Sequence, residues 1–268
     1  MQNLSRSNSK CRRKRPDIDE QWFIDNWINT SKSLKQLSIE QNVSLALLDN
    51  RSRSYGLKKP IKHPCNTSKL FNLSDPNIWY IAGLIATDGY IVKKWNAFEL
   101  ALTGDSEHRL LQSIAEYLET TANIAQYGKS WRLRIVAKGL PDFLFSAFNI
   151  PAENKTFNVG IPSSFPSESC VKAYIKGCVD GDGSISPSRY YIRLTTASEK
   201  FVLGFNDIIE KYVGIKMSFY YERRNNKRYP ASWASLNRAK KLLDWIYSEQ
   251  TLCLERKYLN YCKVKDIV

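Results

Sequence analysis

The spacing of apolar residues along the chain changes in an order that occurs twice. Residues 76–88 form an almost continuous apolar helix pattern begun by Pro76, and strand-like runs follow at 90–94 and 97–103, with Phe98, Leu100 and Leu102 on one side. A helix capped by Ser106 comes next, then a hairpin of residues 123–127 and 131–137 around Gly128-Lys129-Ser130, then a short closing helix over 140–148. Residues 151–166 are polar and loop-like. Beyond them the order returns: an apolar helix ending near residue 182, a strand at 191–195, a helix at 198–213, strands at 216–224 and 229–234, and a helix at 236–248, with a last helix at 253–265. Each half therefore predicts approximately αββαββα, and the fold class is α+β.

Upstream the pattern is helical. Pro16 and Asp17 suit the start of a helix whose apolar side is Trp22, Phe23, Trp27 and Ile28; residues 33–41 follow, Asn42-Val43 makes a short turn, and Ser44 caps a basic helix closed by Gly56. Helix, short turn and basic helix is the helix-turn-helix pattern, in which the second helix enters a major groove. On that reading Ser44, Leu45, Asn50, Arg51 and Arg53 face DNA, and Leu47, Leu48 and Leu57 belong to the core. A generic three-helix module has the same pattern. Residues 1–15 read as a basic tail, 16–57 as the helical domain, 58–71 as a linker, 72–150 as the first repeat and 151–268 as the connecting loop and second repeat.

The clearest internal signal is a segment that recurs. Residues 81–89, IAGLIATDG, align without gaps on 175–183, IKGCVDGDG, an offset of 182 − 88 = 94 residues. Residues four apart share a helix face, so Ala82 with Ala86, Gly83 with Thr87 and Gly177 with Gly181 give small-residue faces on which two helices can meet backbone to backbone. Their ends would bring Asp88 and Asp182 together. Either Asp-Gly read alone is ordinary turn chemistry; recurrence in register argues for a shared role.

These two segments resemble the signature of the LAGLIDADG homing endonucleases, and the duplication resembles the single-chain, two-repeat members. The resemblance covers roughly residues 72–268 and implies two β-saddles around a paired-helix interface, acting as a monomer on double-stranded DNA. It implies that Asp88 and Asp182 are catalytic and hold two or more divalent ions, with the main-chain carbonyls of Thr87 and Gly181 as further ligands. Mg²⁺ suits such a site, because it prefers hard oxygen donors and is often held by one or two carboxylates plus substrate phosphates. A basic residue near each phosphate is expected at the start of each closing helix, Lys138 in the first half and Arg238 or Lys240 in the second. One break per strand with short 3′ overhangs is the implied outcome. Ala86 stands where the second copy has Asp180, so the halves are unequal. The alternative function is a non-catalytic one: an RNA maturase acting on intron RNA, or a DNA-binding regulator with the same fold.

Charge supports a polyanionic partner. Lys and Arg number 40 against 26 Asp and Glu, a formal net charge of +14 with a pI near 9.4. Candidate base and backbone contacts on the strands are Lys93, Lys94, Asn96, Glu99, Gln126, Arg132 and Arg134 in the first half. In the second they are Ser186, Arg189, Tyr191, Arg193, Tyr221, Arg223, Asn225, Lys227 and Arg228. Six cysteines without a CxxC pair and only two histidines argue against a structural zinc site and against chemistry built on a His base. No apolar run approaches the ~18 residues of a membrane span, so the expectation is an intracellular protein of the cytoplasm, nucleoid or an organelle, with no membrane partner.

Overall fold

The computed structural model describes residues 17–30, 32–57, 63–249 and 251–265. The predicted basic tail and the first five residues of the predicted linker, 58–62, lie outside these residues. The chain divides into two units, one before His63 and one from His63 onward.

In the first unit, helix α1 (Glu20–Phe23) runs into one π-helical turn (Ile24–Ile28), followed by α2 (Leu34–Glu40) and α3 (Leu45–Ser54). Ile18, Phe23, Leu37 and Leu48 are almost fully buried, and Trp22, Trp27, Leu34, Val43 and Leu57 pack around them. The helix starts follow from local chemistry. Ser33 and Gln36 form a reciprocal capping box, and the Ser44 hydroxyl accepts from the Leu47 N–H at 3.2 Å. At the end of α3, Leu57 N–H donates to Ser52 O and Gly56 N–H to Arg53 O; Gly56 at φ +67° supplies the left-handed residue that this closure requires.

The second unit contains the two repeats. After the short α4 (Thr67–Leu70), Pro76 opens α5 (Pro76–Asp88). Strands β1 (Gly89–Val92) and β2 (Ala97–Leu102), helix α6 (Asp105–Tyr117), strands β3 (Ala125–Tyr127) and β4 (Ser130–Val136) and helix α7 (Leu140–Phe148) complete the first half. Residues 151–166, expected as loop, contain a short helix α8 (Lys155–Asn158). The second half is α9 (Glu168–Asp182), β5 (Gly183–Ser186), β6 (Tyr191–Thr195), α10 (Glu199–Val213), β7 (Ser218–Arg224), β8 (Lys227–Ser235) and α11 (Leu236–Ile246), followed by α12 (Glu255–Lys265). The αββαββα order is present twice.

Each half forms a four-stranded antiparallel sheet, ordered β1-β2-β4-β3 and β5-β6-β8-β7. Period-two alternation gives each sheet an apolar side: Phe98, Leu100, Leu133 and Ile135 in the first, Ile192, Leu194 and Ala234 in the second, all at most 2% exposed. These side chains join one continuous core with α5 and α9. The opposite, outer sides carry polar and aromatic residues.

Candidate functional site

Helices α5 and α9 cross where their backbones touch. A Cβ at Gly83 would overlap the carbonyl oxygen of Tyr174, and one at Gly177 would overlap that of Tyr80. One turn farther along, a Cβ at Gly181 would collide with the Thr87 hydroxyl and stand 2.6 Å from Asp88 Oδ2. Glycine costs a helix up to about 1 kcal/mol per residue relative to alanine. Here it allows an approach that no other residue permits. The Gly83–Thr87 and Gly177–Gly181 faces predicted from spacing form this contact, and they bring Asp88 and Asp182 near one another at the helix ends.

The electrostatics reflect that crowding. Burial, and then the charge of Asp88, push the Asp182 carboxyl up to about 6. Burial also raises the Asp88 carboxyl, against the pull of Lys257, Lys155 and Arg256, and Glu107 adds to the rise.

Two lysines that sequence reasoning missed close the arrangement. Lys155 Nζ donates to the carbonyls of Ile85 (2.8 Å), Ala86 (3.0 Å) and Thr87 (3.0 Å) at the end of α5. Lys257 Nζ, only 3% exposed, donates to Val179 and Asp180 (both 2.6 Å), Gly181 (2.9 Å) and Gly183 (2.7 Å) at the end of α9. An ammonium at a helix C-terminus satisfies carbonyls left open there and complements the negative end of the dipole. The two also cross over. Lys155 caps the first motif helix and is the strongest cation on Asp182; Lys257 caps the second and is the strongest cation on Asp88. Burial pulls both ammoniums down to about 8, while the neighbouring carboxylates hold them up.

Each aspartate lines its own hollow. Around Asp182 a hollow of about 270 Å³ includes Thr87, Lys155, Thr195, Arg224 and Tyr229. Around Asp88 one of about 240 Å³ includes Thr103, Glu107, Gly181, Leu254 and Arg256. Among the described residues no group of three or more His, Cys, Asp or Glu side chains is placed to hold a metal ion. A hard divalent cation would therefore rest on the two aspartates and on oxygens from elsewhere, a donor set that suits Mg²⁺ when phosphates supply the remainder. The carboxyls are raised first by burial, a cost that a bound cation would offset. The expected carbonyl ligands at Thr87 and Gly181 already accept from Lys155 and Lys257.

The predicted basic residues are not the leading charges on the two carboxyls. Lys138 is exposed in the turn after β4, Arg238 donates to Lys216 O at 3.0 Å, and Lys240 lies along α11. The closing helices α7 and α11 cover the core side of the sheets, and the elements that reach the aspartates are the next ones in the chain, α8 and α12. Asp180, the extra acidic residue of the second copy, is 2% exposed and accepts from Tyr80 Oη (2.8 Å), Tyr247 Oη (3.0 Å) and Leu254 N (2.7 Å). It ties the segment before α12 to the helix pair.

Strand register sorts the predicted contacts. Cross-strand partners share a face, so Glu99 opposite Arg134 and Arg132 opposite Ala125 lie on the outer side of the first sheet. Gln126 pairs with Trp131 and faces the helical side instead. Lys93 and Lys94 sit exposed in a 3₁₀ turn, whereas the Asn96 side chain accepts from Gly139 N–H. In the second sheet Ser186, Tyr191, Arg193 and Lys227 lie on the outer side, Arg189 is in an exposed loop and Asn225 in the β7–β8 turn. Tyr221, Arg223 and Arg228 take the other face, since Tyr221 pairs with Pro230 and Arg223 with Arg228. The outer faces also carry Tyr90, Tyr127, Tyr220, Arg224 and Trp233, which sequence reasoning did not select. In the N-terminal unit, Leu45 and Asn50 are exposed. There the Ser44 hydroxyl serves as a cap, Arg53 pairs with Asp49 at 2.6 Å, and Arg51 donates to Ile18 O at 2.9 Å, which makes it an internal tie.

Residues 169–257, from α9 to Lys257, match the LAGLIDADG-like domain. The structure is similar to mesophilic variants of the homing endonuclease I-DmoI, with a TM-score of 0.50 and 18% identity over 67% of this chain and 99% of that one. Full-length WhiA from Thermatoga maritima superposes with a TM-score of 0.49 and 14% identity over 74% of this chain, which spans 63% of that one. A curated relative, elongation factor 2 of Methanopyrus kandleri, is 24% identical over 151 residues, 54% of this chain, so the chain spans about a tenth (11%) of that relative's length. The protein thus carries a LAGLIDADG-like domain in its second half, in a mixed α/β fold of two four-stranded sheets that matches the fold of homing endonucleases.

Proposed function

We propose that this protein is a divalent-metal-dependent endonuclease that breaks both strands of a long DNA target. The observation that carries this reading is the pairing of Asp88 and Asp182 at the ends of touching helices, each faced by a lysine that caps the other copy's neighbouring helix end. Asp88 and Asp182 would hold Mg²⁺, which supplies an activated water and neutralises charge on phosphorus. Lys155 and Lys257 fix the helix ends and place positive charge beside the phosphates, and Arg224 and Arg256 extend that field along the two hollows. The outer sheet faces lie against the duplex. The N-terminal unit lengthens the recognised site as a helix-turn-helix, with Leu45, Asn50 and Arg53 exposed for that contact.

The test is cleavage of DNA carrying the uninterrupted locus that adjoins the gene, with Mg²⁺ present. A double-strand break should appear, and Asp88→Asn or Asp182→Asn should remove it while binding stays nearly intact. Absence of cleavage by the wild-type chain on that DNA would overturn the enzymatic reading.

One observation favours a second reading, a nucleic-acid binder without catalysis that acts on intron RNA or as a regulator. The Thr87 and Gly181 carbonyls already accept from ammoniums, and two lysines balance the two aspartates without a metal. On that reading titration with Mg²⁺ gives no binding heat at the aspartates and intron RNA splices only with the protein present.

A further inference from the structure

The outer face of the first sheet contains a device that goes beyond a basic surface. Glu99, at the centre of β2 and only 9% exposed as a residue, accepts from two arginines on β4. Arg134 reaches one oxygen through Nε (2.9 Å) and Nη2 (2.5 Å), and Arg132 Nη1 approaches the other at 3.4 Å. Each guanidinium is also backed by an aromatic ring, Arg134 by Trp95 at 4.7 Å and Arg132 by Tyr127 at 4.8 Å. Their side chains stay 42–45% exposed, and with Ala125 and Asn123 they line a hollow of about 480 Å³.

Two constraints on one guanidinium, a two-point contact along an edge and a ring beneath its plane, fix both its direction and its rotation. Solvated arginines on a sheet would sample many rotamers and meet phosphates indiscriminately. Here a carboxylate has been placed between them, which lowers the local charge that phosphate attraction needs. A neutral pair of acceptors at a set spacing suits such a group better, and the O6/N7 edge of guanine is that pair in the major groove. The second half also sets a carboxylate between arginines, from different strands and without a two-point contact. Glu222 on β7 accepts from Arg224 (2.8 Å), Arg193 (3.4 Å) and Thr195 Oγ1 (3.2 Å) on the outer side.

We propose that Arg132 and Arg134 read guanine in one half of the DNA target, and that Glu99 is a positioning residue which sets their orientation and so the specificity of that half-site. This rests on the duplex-binding part of the proposed function and is independent of cleavage.

The experiment is selection of binding sites by the full-length chain from duplexes with randomised positions, for wild type, Glu99→Gln, Arg134→Lys and Arg134→Ala, with circular dichroism to match the folds. Wild type should select guanine at one or two positions of one half-site. Arg134→Lys keeps the charge and should lose discrimination at one of them by roughly tenfold or more, while binding to random duplex is unchanged. Glu99→Gln frees one net positive charge, so it should bind random duplex more tightly with a steeper salt dependence, yet discriminate less at the same positions. Unchanged guanine selection in Glu99→Gln, or a uniform loss across all sequences in Arg134→Ala, would overturn the inference. A wild-type chain that retains no duplex at all would remove the duplex-binding reading and this inference with it.

Discussion

The two halves agree in their interior and differ at the hollows. Both bury a glycine-containing helix against its partner, both end it in aspartate, and both end positions are held by a lysine from a later element. The surroundings of the aspartates diverge. The hollow at Asp88 includes Glu107, 5% exposed, which accepts from Arg256 Nε at 2.6 Å. The hollow at Asp182 has no such carboxylate and includes Arg224, at the end of a seven-residue strand whose counterpart β3 has three residues. The halves thus agree in what close packing dictates and differ in residues that only line a hollow. Under the proposed function, the two strands would be cut by sites of different charge.

The largest effects should come from the feature the halves share. Lys155→Ala and Lys257→Ala each remove an ammonium from a helix end and from the opposite aspartate, and each should slow cleavage of one strand by roughly 10²–10³-fold. If the crossover is real, supercoiled plasmid treated with either variant should accumulate as nicked circle, with the nick on opposite strands in the two variants. Equal slowing of both strands by one variant would break the proposed division of labour.

Next is the helix contact. Gly177→Ala places a methyl group into the Tyr80 carbonyl, and helices packed backbone to backbone can yield only by separating. Denaturant unfolding should report a loss of about 2–3 kcal/mol, with an unchanged denaturant slope. Alanine at Gly56 gives a contrast. Nothing lies near its Cβ position, so the cost there comes only from the left-handed φ of +67° and should be about 1 kcal/mol, confined to the N-terminal unit.

The fold and the aspartate pair were legible because they rest on short periodicities. An interval of four residues exposed the small-residue faces and period two exposed the strands, and both survive without knowledge of tertiary structure. The lysines were not legible. Lys155 follows Asp88 by 67 residues and Lys257 follows Asp182 by 75, and each lies after a closing helix whose start looked like the better place for a cation. The available signal was that both open or nearly open a helix after α7 and α11, in chain segments read as loop and as tail helix. The facing of Tyr221, Arg223 and Arg228 is not legible in the sequence for another reason. Asn225 and Asn226, at φ of 48° and 61°, form a two-residue turn that fixes Arg224 opposite Lys227, and the facing of the whole strand follows from that register.

A smaller effect should separate the halves at Glu107. Arg256→Ala leaves that carboxylate buried without its cation, beside an aspartate whose proton affinity it already raises. Because the arginine side chain is 53% exposed, the stability loss should be about 1–2 kcal/mol, well below that of a fully buried pair. Glu107→Gln should restore most of it in the double variant. Strand-resolved cleavage should fall on the Asp88 side only; a fall on both sides would mean that Arg256 acts through the segment joining it to Lys257.

The smallest change is the mirror of that one. Arg224 lines the hollow at Asp182 and lowers its proton affinity, but it also spends an N–H on Glu222 and is 53% exposed, so its field on the aspartate is partly screened. Arg224→Ala should therefore slow the Asp182 strand by only about 3- to 10-fold and leave the Asp88 strand at the wild-type rate, read as a shift in which strand is nicked first. Raising the salt concentration should shrink the difference between variant and wild type, because an exposed cation acts through solvent. If the difference persists at high salt, Arg224 touches the phosphate directly, and the two hollows are then less alike than their shared aspartate and lysine suggest.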